Sequence, residues 1–162
     1  MRIVLASTSP RRVELLTQLL EAHGAPTLFE REAPGVDESE RPGEHPRDVA
    51  LRLAREKANA VAVRHSSDAM VPLIIGADTV VDVDGESLGQ PVDEAHARAM
   101  LKRLSGRVHH VHTGVCVFHG SRQESTVETA LVEMHPLDDA TIDRYLATGE
   151  PMGKAGGYAV QG

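Results

Sequence analysis

Apolar and polar residues alternate along this chain with two patterns, one typical of strands and one typical of helices. Residues 3–6 form a short apolar run, and residues 7–12 are polar or charged. Apolar residues then recur at helical spacing, at Val13, Leu15, Leu16, Leu19 and Leu20. This pattern predicts a strand, a tight loop and a helix, with Ser9 as the N-cap and Pro10 at the first helical position.

The rest of the chain continues this mixed pattern. Apolar residues on one arc predict a second helix from Pro46 to about Val63, and residues 71–81 are apolar on both alternating faces, which is typical of a central strand buried on two sides. Further predicted elements are a hairpin turn at residues 84–85, a helix from its N-cap Asp93 to Gly106, and strands over residues 108–118 and 125–134 joined by a polar loop at residues 119–124. A helix from its N-cap Asp138 to Gly149 follows, and then a glycine-rich turn leading into a strand within residues 153–162. Such an order predicts an α/β fold with one mixed twisted sheet flanked by helices.

Composition narrows the class of protein. A chain of 162 residues with 41% hydrophobic and 25% charged residues fits a single domain over residues 1–162, and the 2% aromatic content makes its core aliphatic. The single cysteine, Cys116, excludes an internal disulfide, and we expect a buried structural thiol in a reducing cytosol. No apolar stretch approaches the roughly 20 residues of a membrane span, so we expect a cytoplasmic protein without a membrane partner.

The net charge of −7, from 17 basic and 24 acidic residues, argues against nucleic acid as a partner. A small anion can still bind where the few basic residues converge, with a divalent cation held by acidic residues. His109, His110 and His112 suggest zinc, but on a strand His109 points away from the other two. We therefore expect structural histidines there.

Three places carry candidate chemistry. Residues 7–12 would bring a helix N-terminus, hydroxyls and two arginines together as an anion cradle, although paired arginines in a first turn are often merely solvated. Lys57 lies within the apolar arc of the second helix, where it either extends to water or reaches a buried anion. Asp78 interrupts an apolar strand, as a structural carboxylate or as a catalytic or metal-binding group, and Gly76 beside it would let a ligand approach the backbone.

Six segments, in order along nearly the whole chain, resemble the Maf family of nucleotide pyrophosphatases, also known as septum-formation inhibitor Maf. They are residues 5–12 (LASTSPRR), 36–38 (VDE), 54–58 (AREKA), 76–81 (GADTVV), 112–114 (HTG) and 148–162 (TGEPMGKAGGYAVQG). The resemblance implies a dimeric cytoplasmic enzyme with a fold similar to that of inosine triphosphatases, in which a cleft lies between two lobes. It also implies hydrolysis of a nucleoside triphosphate to the monophosphate and pyrophosphate with a divalent metal, Mg²⁺ or Mn²⁺.

The resemblance assigns roles to individual residues. Asp78 would be the proton acceptor and, with Glu38, would hold the metal, although Glu38 can equally be an exposed loop acid. The triphosphate would be held by Ser7, Arg11, Arg12, Lys57 and Lys154. Base preference would be set by Arg11, Thr79 and Gln161. The Asp78-Thr79 pair matches the subgroup that prefers dTTP and UTP, whereas a sister group with Asp-Gln prefers 7-methyl-GTP.

Two departures from the family pattern bear on activity. Gln90 stands where the family usually has Lys, and the loss of one charge-assisted hydrogen bond costs on the order of 1.5–3 kcal/mol. The chain also ends at Gly162, before the further strand and helix that family members usually have. We expect a pyrophosphatase of pyrimidine triphosphates and their modified analogues that cleans the nucleotide pool, with a possible role in arresting septum formation. The alternatives are a 7-methyl-GTP pyrophosphatase and a non-catalytic nucleotide-binding regulator of cell division.

Overall fold

The computed structural model describes residues 2–160, which divide into two compact units. The first unit consists of Met1–Glu40, Leu51–Asp78 and Gly114–Val127, and the second consists of Arg41–Ala50, Thr79–Thr113 and Glu128–Gly162.

Helices alternate with the strands of a mixed sheet, as predicted. The strands are β1 (Ile3–Leu5), β2 (Glu30–Arg31), β3 (Leu73–Val83), β4 (Glu86–Leu88), β5 (Val108–His119) and β6 (Arg122–Glu133). The helices are α1 (Pro10–Ala22), α2 (Pro46–Arg64), α3 (Glu94–Leu104), α4 (Asp139–Leu146) and a 3₁₀ turn at Ala155–Gly157. The strand order is β2-β1-β3-β5-β6, with β4 beside β3. β1 is parallel to β2 and β3, whereas β4 is antiparallel to β3.

The core of the first unit lies on both sides of β1. Ile3 and Leu5 pack with Leu16 of α1, while Val4 packs with α2 residues such as Val61. Successive strand residues point to opposite faces, so a strand with a helix on each side must be apolar throughout. This arrangement accounts for the uninterrupted apolar run at the start of the chain.

Helix α2 lies unusually close to β3. A Cβ atom added at Gly76 would lie 2.7 Å from the backbone nitrogen of Ala58 and would also overlap the carbonyl oxygen of Ala54. The expectation that Gly76 leaves room for a ligand is therefore wrong, because the backbone of α2 occupies that space. Only glycine permits this approach of helix to strand.

The second unit has its own aliphatic core and well-defined helix starts. One cluster joins Val81 and Val83 to Leu104, and another joins α3 to α4. The predicted caps are confirmed: the Asp93 carboxylate accepts a hydrogen bond from the His96 N–H at 2.7 Å, and the Asp138 carboxylate accepts one from the Thr141 N–H at 2.7 Å. The hairpin is also confirmed between β3 and β4, where Asp84 and Gly85 have φ values of 58° and 83°.

The structure differs from the sequence predictions at several places: the sequence pattern does not predict β2 (Glu30–Arg31), and α4 ends at Leu146 rather than at Gly149. Ser9 occupies the N-cap position of α1, but its side chain makes no capping hydrogen bond. The polar loop predicted at residues 119–124 is shorter, because β6 already begins at Arg122. The glycine-rich turn is confirmed, with φ values of 69° and 71° at Gly156 and Gly157, but no strand follows it in residues 158–160. Within residues 2–160, no helix has both the length and the apolar character needed to cross a lipid bilayer.

Candidate active site

A buried ion pair between α2 and β3 is the centre of the candidate site. The Lys57 Nζ atom lies 2.6 Å from the Asp78 Oδ1 atom, and the two residues are 4% and 6% exposed. Asp78 lies two residues beyond Gly76, on the same strand face, so the close approach of α2 places Lys57 opposite the carboxylate. Lys57 therefore reaches a buried anion and does not extend to water.

Glu38 joins this pair from an irregular segment. Its Oε1 atom lies 2.9 Å from the Lys57 Nζ atom, while 54% of its side chain remains exposed. The Lys57 ammonium thus bridges one buried and one half-exposed carboxylate. Glu38 is therefore a half-exposed acid on a loop, and its carboxylate contacts the same ammonium group as Asp78 does.

The start of α1 supplies a second cation. An Arg12 guanidinium nitrogen lies 3.9 Å from the Asp78 Oδ1 atom, and another donates to the Ser7 hydroxyl at 3.4 Å. The buried Ser7 hydroxyl also accepts the Ser9 N–H at 3.1 Å, which orders the loop before the helix. Arg12 is therefore ordered by protein contacts beside the carboxylate. Arg11 is exposed at the second residue of α1, and its role stays a prediction.

The environment of Asp78 favours proton transfer. Burial raises the pKa of its carboxyl group above the usual range, although the Lys57 ammonium and the Arg12 guanidinium act in the opposite direction. A carboxylate with a raised pKa accepts a proton more readily near neutral pH than an exposed aspartate does. Two cations beside such a base can in addition neutralise the oxygens of a phosphate group.

The two carboxylates could bind a divalent ion whose remaining ligands come from substrate phosphates and water. Asp78 and Glu38 converge on one ammonium group, so their oxygens lie within reach of one small cation. In residues 2–160, no group of three or more His, Cys, Asp or Glu side chains has a metal-binding arrangement. Mg²⁺ is commonly held by one or two carboxylates together with substrate phosphates and water, and this donor set meets that requirement.

Other predicted site residues lie in the second unit. The Thr79 and Thr113 hydroxyl oxygens are 3.3 Å apart. The Lys154 Nζ atom donates to the carbonyl oxygen of Glu150 and lies 3.7 Å from the carboxylate of the same residue. Gln161 lies outside the described residues. The roles given to Thr79, Lys154 and Gln161 therefore stay predictions.

The histidines of β5 make polar contacts within the second unit. The His112 Nε2 atom lies 3.1 Å from the Asp82 carboxylate, and its Nδ1 atom lies 2.9 Å from the Thr129 hydroxyl. The His110 ring stacks on that of His112, whereas the His109 Nε2 atom lies 2.6 Å from the Tyr158 hydroxyl. Cys116 of the first unit is buried as predicted, and burial raises the pKa of its thiol.

One contact near the site involves a residue that the sequence patterns do not single out. The Arg52 guanidinium donates to the carbonyl oxygen of Ser39 at 3.1 Å, directly after Glu38. Every residue has a backbone carbonyl, so no sequence motif marks such a contact in advance.

Comparison with known proteins gives a consistent result. The family model described as Maf-like protein matches residues 2–162. A protein of Shewanella oneidensis named dTTP/UTP pyrophosphatase is 47% identical over 162 residues, which are 100% of this chain and 82% of that protein. A protein of the same name from Thermococcus gammatolerans is 44% identical over 161 residues, covering 99% of this chain and 80% of its own length.

A solved structure is similar in fold. The Staphylococcus aureus Ham1 protein superposes with a TM-score of 0.52 at 16% sequence identity, over 82% of this chain and 71% of that one. At this identity the likeness concerns the fold alone. It confirms the mixed α/β fold that the sequence predicts.

Proposed function

The chain belongs to the Maf family, and we propose that it hydrolyses nucleoside triphosphates, with dTTP and UTP as preferred substrates, to the nucleoside monophosphate and pyrophosphate. The observation that carries this proposal is the buried Asp78 carboxylate, which lies between the Lys57 ammonium and the Arg12 guanidinium. Relatives at 44% and 47% identity are named for this reaction.

The proposed reaction needs a proton acceptor and neutralised phosphate oxygens. Asp78 accepts a proton from water while the water oxygen bonds to the α-phosphorus atom. The bond from phosphorus to the bridging oxygen breaks, and pyrophosphate leaves with the electron pair. Lys57, Arg12 and the Ser7 hydroxyl bind the non-bridging oxygens, with Arg11 and Lys154 as further phosphate contacts.

Triphosphate binding would also free the Asp78 carboxylate from its ion pair with Lys57. In the structure the Lys57 ammonium is shared by Asp78 and Glu38. A polyphosphate competes with these carboxylates for the same cation, so binding leaves Asp78 less neutralised and more basic. The same ammonium then changes partner from the base to the substrate.

The cofactor would be Mg²⁺ or Mn²⁺, held by Asp78 and Glu38 with substrate oxygens. When bound, such an ion withdraws charge from phosphate oxygens and makes water more acidic. Lys57 keeps the two carboxylates close to each other, because its Nζ atom lies 2.9 Å from Glu38 and 2.6 Å from Asp78.

Several finer assignments rest on the family resemblance. We propose that residues 1–162 act as one pyrophosphatase domain, that the enzyme is a cytoplasmic homodimer, and that Arg11, Thr79 and Gln161 select the base. The Asp78-Thr79 pair favours pyrimidine triphosphates over 7-methyl-GTP. A role in septum formation would follow from turnover or from nucleotide binding alone.

Pyrophosphate release tests this function. We expect dTTP and UTP to be cleaved faster than CTP or 7-methyl-GTP in the presence of Mg²⁺ or Mn²⁺. Asp78→Asn keeps the size of the side chain but removes the base, so kcat should fall by about 10²–10⁴-fold. Asp84→Asn is the matched control, because Asp84 pairs with Arg107 at the hairpin and Asn tolerates its positive φ.

Each alternative has its own outcome. Fastest cleavage of 7-methyl-GTP would overturn the substrate assignment. Nucleotide binding without release of pyrophosphate from any of these substrates would favour the non-catalytic regulator. Unchanged turnover in Asp78→Asn would remove Asp78 from the reaction.

A further inference from the structure

We propose that Arg52 is a positioning residue that holds Glu38 against Lys57, an inference that rests on the proposed function for its effect on turnover. Arg52 lies on α2, five positions before Lys57, or about 7.5 Å along the helix axis. Helix α2 therefore carries both Lys57 of the site and the side chain that binds the segment with Glu38.

The contact joins α2 to the peptide that follows Glu38. An Arg52 NH2 nitrogen donates to the carbonyl oxygen of Ser39 at 3.1 Å, and an NH1 nitrogen donates to the Glu56 carboxylate at 3.1 Å. The Arg52 side chain is only 12% exposed. A guanidinium that is largely removed from water needs such partners, and its planar fork can serve an acceptor at each end.

The segment around Glu38 has no regular secondary structure. Residues 32–41 form neither helix nor strand, and 54% of the Glu38 side chain is exposed. The Asp37 carboxylate accepts the Ser39 N–H at 2.9 Å, while Arg52 binds the Ser39 carbonyl oxygen. Both polar groups of the Ser39 backbone are thus held, which restricts the backbone next to Glu38.

This restriction matters because Glu38 is a flexible side chain on a loop. Fixing a glutamate side chain in one geometry costs conformational entropy, and a mobile backbone adds to that cost. With the Ser39 peptide held on α2, the Glu38 carboxylate stays 2.9 Å from Nζ of a residue on the same helix. Arg52 thereby acts on the site through Glu38 without contacting substrate.

Arg52→Met tests the proposal, because it keeps an apolar stem and removes both donors. We expect kcat for pyrophosphate release to fall about tenfold while KM for dTTP changes less than threefold. In a Glu38→Gln background, Arg52→Met should have no further effect on kcat, because the carboxylate that Arg52 positions is already absent. Arg52→Lys should restore part of the lost activity.

The matched control is Glu56→Gln, which removes the charge of a different Arg52 partner and leaves the Ser39 contact in place. Its kcat should equal that of the wild type. Amide hydrogen exchange of a peptide spanning residues 33–42, measured without nucleotide, supplies a readout independent of turnover. Exchange should accelerate in Arg52→Met and remain unchanged in Glu56→Gln, with both variants folded by circular dichroism.

The outcomes separate this inference from the proposed function. Unchanged exchange in Arg52→Met would overturn the positioning role, as would an equal loss of kcat in the Glu38→Gln background. Faster exchange with unchanged kcat would also overturn it. A wild type that releases no pyrophosphate would contradict the proposed function, while the exchange measurement would still decide whether Arg52 holds the Glu38 segment.

Discussion

At the scale of single residues, the chemistry depends on the Asp78 carboxylate, whose surroundings shift its pKa in opposite directions. Burial raises the pKa of Asp78, while Lys57, 2.6 Å away, and Arg12, 3.9 Å away, stabilise the charged form. Burial is the larger effect. The group is therefore an ionised base over a range that starts at a higher pH than for an exposed aspartate.

This balance predicts the acid side of the pH profile. Asp78 accepts a proton only when ionised, so kcat/KM, which reports the free enzyme, should fall on acidification with an apparent pKa above the ordinary value of 3.8. Of the two cations, Lys57 lowers the pKa of Asp78 more than Arg12 does. Lys57→Met should therefore move the acid limb of the profile to higher pH, even though total activity is lower. Steady-state rates at dTTP concentrations well below KM, which give kcat/KM, measure both profiles. A limb that stays in place in Lys57→Met would contradict the assignment of Asp78 as the titrating base.

At the scale of secondary structure elements, the site exists because α2 lies against β3 at Gly76. Ala54 and Ala58 face that glycine, and Lys57 is carried on the intervening turn of helix. Small residues on both elements permit the short separation. A larger residue at Gly76 would move the helix and therefore the ammonium group.

Gly76→Ala tests this packing. The added methyl group would meet the backbone of α2, which cannot rotate away as a side chain can, so we expect a loss of about 1–3 kcal/mol in the free energy of unfolding. Turnover should fall as well, because Lys57 is displaced from Asp78. Gly89→Ala is the control, since a Cβ atom there meets nothing within 4 Å. Urea denaturation gives both stabilities, and equal values for the two variants would refute the close-packing explanation.

At the scale of the whole molecule, a chain with a net charge of −7 still pairs its charges across distant segments. His65, just after α2, lies between two carboxylates: its Nδ1 atom is 2.8 Å from Asp68, and its Nε2 atom contacts Glu32. Arg2, before β1, binds both Asp68 and Glu30. The hydrogen bonds to Asp68 and Glu32 raise the pKa of His65.

This raised pKa makes stability depend on pH. The folded state binds the His65 proton more tightly than the unfolded state, so the stabilisation is complete below the unfolded value of 6.5 and is lost as pH rises through the folded pKa. His65→Gln should therefore be less stable than the wild type in mild acid, and the difference should shrink on alkalinisation. Urea midpoints across that range measure it, with His119→Gln at the exposed end of β5 as control. A difference independent of pH would show that protonation of His65 contributes nothing.

The sequence by itself determined most of the elements and many of their ends, although it did not predict β2. The bounds of α2, the caps Asp93 and Asp138, and the hairpin at Asp84 were predictable because each depends on neighbours within a turn or two of chain. The strand predicted after the glycine-rich turn does not form in residues 158–160. A strand needs a sheet partner, which no local pattern specifies, and the Ala159 N–H donates instead to the Tyr145 hydroxyl at 3.2 Å.

The candidate site was predictable in its residue types but not in its contacts. The sequence predicts an anion cradle at residues 7–12 and identifies Lys57 and Asp78 as charged residues in apolar surroundings. Only the tertiary structure decided that Lys57 bridges Asp78 and Glu38, that Gly76 admits a helix in place of a ligand, and that Arg52 binds the Ser39 carbonyl oxygen. These contacts join residues distant along the chain, and they depend on how closely α2 packs on β3, a distance that no local pattern encodes.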